Sequence, residues 1–175
     1  MLARLAKGAG LPMIHVVRRE DQALLLRSLG ADIVLNSEDK DFDSALRREC
    51  ARLKASIAFD AVAGAMTGRL LAALPARARV VVYGLLSEQS CRGVSPGDLI
   101  FREKSVSGFY LGTWLPEQSL FRRAQLARQV QNAVRSGVLA SDVQGRYSLE
   151  DAAQGLLAYH HDMSKGKILI CPWLR

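Results

Sequence analysis

Short apolar runs rich in β-branched residues alternate along this chain with longer stretches in which apolar positions recur every three or four residues. The run MIHVV at 13–17 is followed by a predicted helix from Asp21 to Leu29, with Asp21 as its cap and Gly30 as its stop. DIVL at 32–35 predicts a second strand. DFDSALRRECARLK at 41–54 predicts an amphipathic helix that buries Phe42, Ala45, Leu46 and Leu53 and begins on acids. Strand IAFDAV at 57–62, a helix over 66–74, strand RVVVYG at 79–84, a short helix DLIFRE at 98–103 and strand SVSGFYL at 105–111 continue the series. Strands that are apolar throughout and separated by crossover helices predict a parallel sheet covered on both faces, so the expected fold is doubly wound α/β.

The last third changes character. One long helix is predicted from about Pro116 to Ser136, ending at Gly137, then a helix capped by Ser148 and Asp151, then a final strand KILIC at 167–171. No crossover helix follows that strand, which suits membership of a different sheet. At the other end, MLARLAK predicts a short helix that stops at Gly8 and Gly10 with Pro12 behind it.

Composition narrows the picture. The 175 residues are 49% apolar and 23% charged, enough for one core. Arg77 and Arg79 interrupt the longest apolar stretch, so no membrane span is expected. The formal charge of +7 suits an anionic partner. The basic residues are nonetheless scattered, mostly near acids, and form no block interleaved with aromatics, so nucleic acid is not the expected partner. Cys50, Cys91 and Cys171 share no metal-ligand spacing and describe no disulfide framework, which points to a reducing, cytoplasmic setting.

Ligands of doubly wound sheets sit beyond the carboxyl ends of the strands. That rule selects Arg18 and Arg19 after the first run, Ala63 and Gly64 after IAFDAV, Tyr83 and Gly84 after RVVVYG, and Phe109, Tyr110 and Leu111 at the end of the series. An arginine at the tip of the second strand of a dinucleotide fold accommodates the extra phosphate of NADP, through charge-assisted bonds of about 1.5–3 kcal/mol each. Two readings of the arginine pair are open: a grip on the 2′-phosphate of NADPH, or solvated loop residues with Glu20 as a surface partner. The expected first strand and its GxGxxG turn are not in the sequence, and GAG at 8–10 follows a helix and precedes a strand, the wrong order for a phosphate cradle. His15 reads as a face residue of a strand. Adjacent His160 and His161 project about 100° apart and do not chelate one metal, so no metal site is expected. Asp60 would cap the helix that follows it.

The succession SLGADIVLN, IAFDAVAG, RVVVYG, DLIFREKSVSGFYL and KGKILI resembles the medium-chain dehydrogenase/reductase superfamily over nearly the whole chain, most of all its zinc-independent quinone oxidoreductase and 2-enoyl thioester reductase branch. The resemblance implies a Rossmann-like NADP(H)-binding domain over 1–137 and a segment over 138–175 that returns to a GroES-like substrate domain. It implies that Phe109, Tyr110 and Leu111 line the cofactor's reactive end, with Tyr110 where enoyl reductases often carry tryptophan. Ala63-Gly64 and Tyr83-Gly84 would contact the ribose and nicotinamide. No catalytic acid is assigned.

The function this implies is the C-terminal, cofactor-binding part of an NADPH-dependent oxidoreductase that passes hydride to a quinone or an activated enoyl double bond of a small molecule. A piece of a zinc-type alcohol dehydrogenase and a noncatalytic remnant serving as a dimerising module are the alternatives. A sheet without its central strand exposes edges, so a homo-oligomer is expected.

Overall fold

The computed structural model describes residues 2–161 and 166–174. Its elements run α1 (Leu2–Gly8), β1 (Ile14–Val17), α2 (Glu20–Ser28), β2 (Ile33–Asn36), α3 (Phe42–Arg52), β3 (Ile57–Asp60), α4 (Ala65–Ala73), β4 (Arg79–Val82), α5 (Pro96–Ile100), β5 (Ser105–Gly108) and α6 (Leu111–Glu117). The remainder is α7 (Leu120–Arg135), β6 (Val143–Tyr147), α8 (Ala152–His161) and β7 (Lys167–Ile170). Residues 12–124 form one compact unit; residues 1–11 together with 125–175 form another.

The larger unit is the expected Rossmann-like parallel α/β fold, carried by two sheets. β1 pairs with β2 in parallel from Ile14↔Ile33 to Val17↔Asn36. β3, β4 and β5 pair in parallel in that order, with Asp60, Val82 and Gly108 aligned at their carboxyl ends. One core serves both sheets. Phe42, Leu46 and Cys50 recur every fourth residue on the buried face of α3 and meet Leu70, Leu71 and Leu74, with Val80 of β4 beneath them. Ile14, Val16 and Leu35 pack on this cluster from the first sheet, and Ala58, Val82 and Val106 from the second. Among the described residues, β1 and β3 each have one edge without a strand partner.

The sheet is not covered everywhere. β5, with the sequence SVSG, has three of its four residues exposed, and Phe59 in β3 is half exposed. The single helix expected over 116–136 is instead two, α6 and α7, separated at Gln118 and Ser119. Gln118 adopts extended backbone (φ −77°, ψ 145°), and the Ser119 hydroxyl then accepts a bond from the Arg122 amide to restart the helix. Asp21 does not cap α2, which begins one residue earlier; its carboxylate serves Arg19 instead.

In the smaller unit, β6 and β7 form a parallel two-stranded sheet of their own, with a register shift between Val143 and Gly145. The final strand therefore does lie in a different sheet. Ser148 and Asp151 bond each other reciprocally at the start of α8, the backbone amide of Asp151 donating to the Ser148 hydroxyl at 3.1 Å. Gly155 faces Tyr147 so closely that a Cβ would stand 2.7 Å from the ring. Arg4 of α1 joins this unit by donating to the Ala140 carbonyl at 3.0 Å. Among the described residues no helix is long and apolar enough to cross a membrane.

Candidate functional site

The arginine pair follows β1 directly and opens α2. The Gln22 side-chain oxygen accepts from the backbone amides of both Arg18 and Arg19 at 3.3 Å, which fixes the chain as it leaves the strand. The Arg19 guanidinium forks onto Asp21, Nε to Oδ1 at 3.0 Å and Nη2 to Oδ2 at 2.9 Å. That bidentate contact holds the Asp21 carboxyl below the usual range. Glu20 turns the other way and pairs with Arg27 at 2.9 Å, so it is not the partner of either arginine. Among the described residues, the Arg18 guanidinium has neither a hydrogen bond nor an ion pair, and it is exposed. The two arginines are thus unlike: one fork is occupied and the other is available. His15 sits in the middle of β1, half-buried, and that burial lowers its pKa.

The remaining seven predicted residues come off the carboxyl ends of the second sheet. Asp60, the last residue of β3, is buried, and its carboxylate organises the turn that follows. Oδ1 accepts from the amides of Val62 at 2.8 Å and Ala63 at 3.0 Å, and Oδ2 accepts from the Thr67 hydroxyl at 2.7 Å. Ala63 and Gly64 both have left-handed backbone, with φ of 63° and 62°. Glycine suits this conformation; at Ala63 the three bonds to Asp60 hold a residue that would otherwise avoid it. A Cβ at Gly64 would also press to 2.9 Å from the Ser87 hydroxyl.

The segment after β4 laces onto this turn. The amides of Leu86, Ser87 and Arg92 donate to the carbonyls of Ala61, Val62 and Gly64 at 3.1, 2.9 and 2.9 Å. Gly84 passes so near Ala61 that a Cβ would stand 2.6 Å from its carbonyl oxygen. Tyr83 precedes it with an exposed side chain. At the end of β5, the Phe109 amide donates to the Val82 carbonyl at 2.9 Å, and its ring tilts against Trp114 at 5.7 Å between centroids. Tyr110 and Leu111 are exposed and begin α6.

Ala63, Gly64, Tyr83, Gly84 and the 109–111 segment are thereby brought to one end of one sheet. Arg18 and Arg19 stand on the other sheet of the same unit. The sequence does not single out Thr67 or Lys104. For Thr67 the signal was present, a hydroxyl seven residues after Asp60, but only the turn between them brings the two within bonding range. Among the described residues no three His, Cys, Asp or Glu side chains converge to hold a metal.

Comparison with known proteins bears on this arrangement. The zinc-binding dehydrogenase family model matches residues 1–127. A mitochondrial enoyl-[acyl-carrier-protein] reductase of Xenopus tropicalis is 30% identical over 162 residues, covering 87% of this chain and 45% of that protein. Prostaglandin reductase-3 of Bos taurus is 30% identical over 122 residues, 65% of this chain and 32% of that protein. A solved structure described as an NADPH:quinone reductase of Mesorhizobium loti superposes with a TM-score of 0.84 at 32% identity, covering 98% of this chain and 49% of the other. The chain therefore spans about half the length of the Xenopus reductase and of the Mesorhizobium structure.

Proposed function

This chain belongs to the zinc-binding dehydrogenase family of the medium-chain dehydrogenase/reductase superfamily, and from that premise we propose that it is the C-terminal cofactor-binding part of an NADPH-dependent oxidoreductase. Bound NADPH would supply hydride for a quinone or an activated enoyl double bond. The chain's own residues bind and orient: Arg18 grips the 2′-phosphate, the Ala63-Gly64 and Tyr83-Gly84 backbones face the ribose and nicotinamide, and Phe109, Tyr110 and Leu111 wall the reactive end.

The observation that carries this reading is the available Arg18 fork beside an Arg19 already locked to Asp21. Arg18→Ala should lower NADPH affinity by about tenfold to a hundredfold and leave NADH affinity unchanged. Arg19→Ala should do less, since its guanidinium must first leave a carboxylate. Fluorescence titration of both cofactors reads the ratio; the absolute affinity should be weak, because the sequence carries no glycine turn for the pyrophosphate. Parallel losses for NADPH and NADH in Arg18→Ala would end the proposal.

The division into a nucleotide domain over 1–137 and a substrate-domain segment over 138–175 belongs to the same reading; the separate β6–β7 sheet supports it, while the compact units divide at 11/12 and 124/125 instead. A cytoplasmic setting is supported by the free state of Cys50, Cys91 and Cys171. The unpartnered edges of β1 and β3 and the exposed β5 support self-association. Light scattering should report a species heavier than the 19.2 kDa chain, and a monomer that persists at high concentration would refute it.

A further inference from the structure

Beside the turn that follows β3, α3, α4 and the loop before α5 line an open cleft of about 400 Å³. Three arginines line it, Arg47 from α3, Arg69 from α4 and Arg92 from the loop, against a single acid, Asp43. The floor is made of small residues, among them Gly68, Ala72 and Gly93. The loop lies on α4 almost backbone to backbone: a Cβ at Gly68 would stand 2.4 Å from the Arg92 carbonyl oxygen. Gly93 has φ of 74°, and the Arg92 amide is tied to the Gly64 carbonyl at 2.9 Å, so the wall bearing Arg92 is fixed in place.

The three forks are held to different degrees. Arg69 is immobilised: Nε donates to Asp43 at 2.7 Å, Nη1 to the Ser37 carbonyl at 3.2 Å, and the guanidinium stacks 4.4 Å from the centre of the Phe42 ring. This arrangement pairs the one acid of the lining with Arg69. Among the described residues, the Arg92 guanidinium bonds a neutral partner, the Gln89 amide oxygen, and no acid. Arg47 has no hydrogen bond or ion pair among the described residues, so it keeps its whole donor set for a ligand. Two charged forks, one carried by α3 and the other by the loop before α5, therefore remain without an ion-pair partner among the described residues, and small residues line the cleft between their elements. Guanidinium forks match phosphate oxygens in geometry and charge, and one phosphate group does not occupy two separately mounted forks as well as a chain of them does.

We infer that this cavity binds a di- or triphosphate anion between Arg47 and Arg92, independently of the nicotinamide site. Inorganic tripolyphosphate and ATP carry the same chemistry and serve as the two probes, titrated by calorimetry at low ionic strength into the whole chain. Arg47→Ala and Arg92→Ala should each weaken tripolyphosphate binding about tenfold. Arg47 is exposed and has no partner among the described residues, so its replacement tests the site without threatening the fold. Arg18→Ala should leave tripolyphosphate binding intact while it lowers NADPH binding, which separates this inference from the reading of the strand ends. ATP binding tighter than tripolyphosphate would place the nucleoside over the small-residue floor; equal binding would mean that the phosphates alone are recognised, and both support the site. Absence of binding at millimolar probe, or a loss caused by Arg18→Ala and not by Arg47→Ala, overturns it.

Discussion

Lys104→Met is expected to cost about 3–5 kcal/mol of folding stability, the range seen when one member of a buried ion pair is removed. The Lys104 side chain is wholly buried, and its ammonium stands 2.9 Å from Oδ1 of Asp98, itself only 13% exposed. A second task adds to the first. The ammonium donates to the Leu71 carbonyl at 2.7 Å, at the carboxyl end of α4, where the last carbonyls have no partner inside the helix. A cation there also meets the negative end of the helix dipole. Methionine keeps the length and the apolar stem but strands both acceptors. Arg102, 3.8 Å from Asp98 and mostly exposed, is a poor replacement. Urea unfolding gives the measurement: a loss under about 1 kcal/mol would mean that the pair contributes little. Asp98→Leu combined with Lys104→Met should recover part of the loss, because an apolar pair leaves no stranded charge.

Lys104 also shows where sequence reading stopped. In FREKSV it looks like one more charge before a strand, since nothing local indicates that a helix end thirty-odd residues upstream will lie above it. The elements themselves were legible, because alternation of β-branched runs with four-residue periodicity is a local signal. Spacing alone assigns Phe42, Ala45, Leu46 and Leu53 to one face of α3; Phe42, Ala45 and Leu46 are buried, and Leu53, just past the helix end, is partly so. β6 was missed because VQGRY has a glycine and an arginine in place of an apolar run, and its strand character comes from pairing with β7. The break between α6 and α7 was missed because Pro116, the obvious helix breaker, lies within α6, two residues before the chain turns at Gln118.

The strand-end positions proposed as the site were legible to the same depth. The strand-end rule selects positions by topology, so Ala63, Gly64, Tyr83 and Gly84 could be named before any geometry was known. What it could not disclose is how the turn is held, since the bonds that hold it join residues in three separate segments. Nor could it rank the two arginines. Glu20 is the nearer acid in sequence, yet the opening turn of α2 directs it toward Arg27 and presents Asp21 to Arg19.

Asp60→Ala should both unfold the chain more readily and abolish what cofactor affinity it has. Three donors converge on the buried Asp60 carboxylate: the amides of Val62 and Ala63 and the hydroxyl of Thr67. A donor stranded out of water costs about 1–3 kcal/mol, so the combined loss should reach about 3 kcal/mol or more. Release of the turn would free Ala63 to leave its left-handed backbone, which costs an L-residue about 1–2 kcal/mol, and with it would go the platform onto which Leu86, Ser87 and Arg92 lace. Asp60→Asn is the informative companion. An asparagine oxygen can still accept from the two amides, and its amide nitrogen can donate to the Thr67 hydroxyl, which then turns its own proton toward Cys91 Sγ, 3.3 Å away. That variant should lose only about 1 kcal/mol and keep the NADPH to NADH preference. Urea unfolding and cofactor titration of the two variants side by side decide the matter: equal losses in alanine and asparagine would mean that negative charge at Asp60, and not the three-way bracing of the turn, is what the site requires.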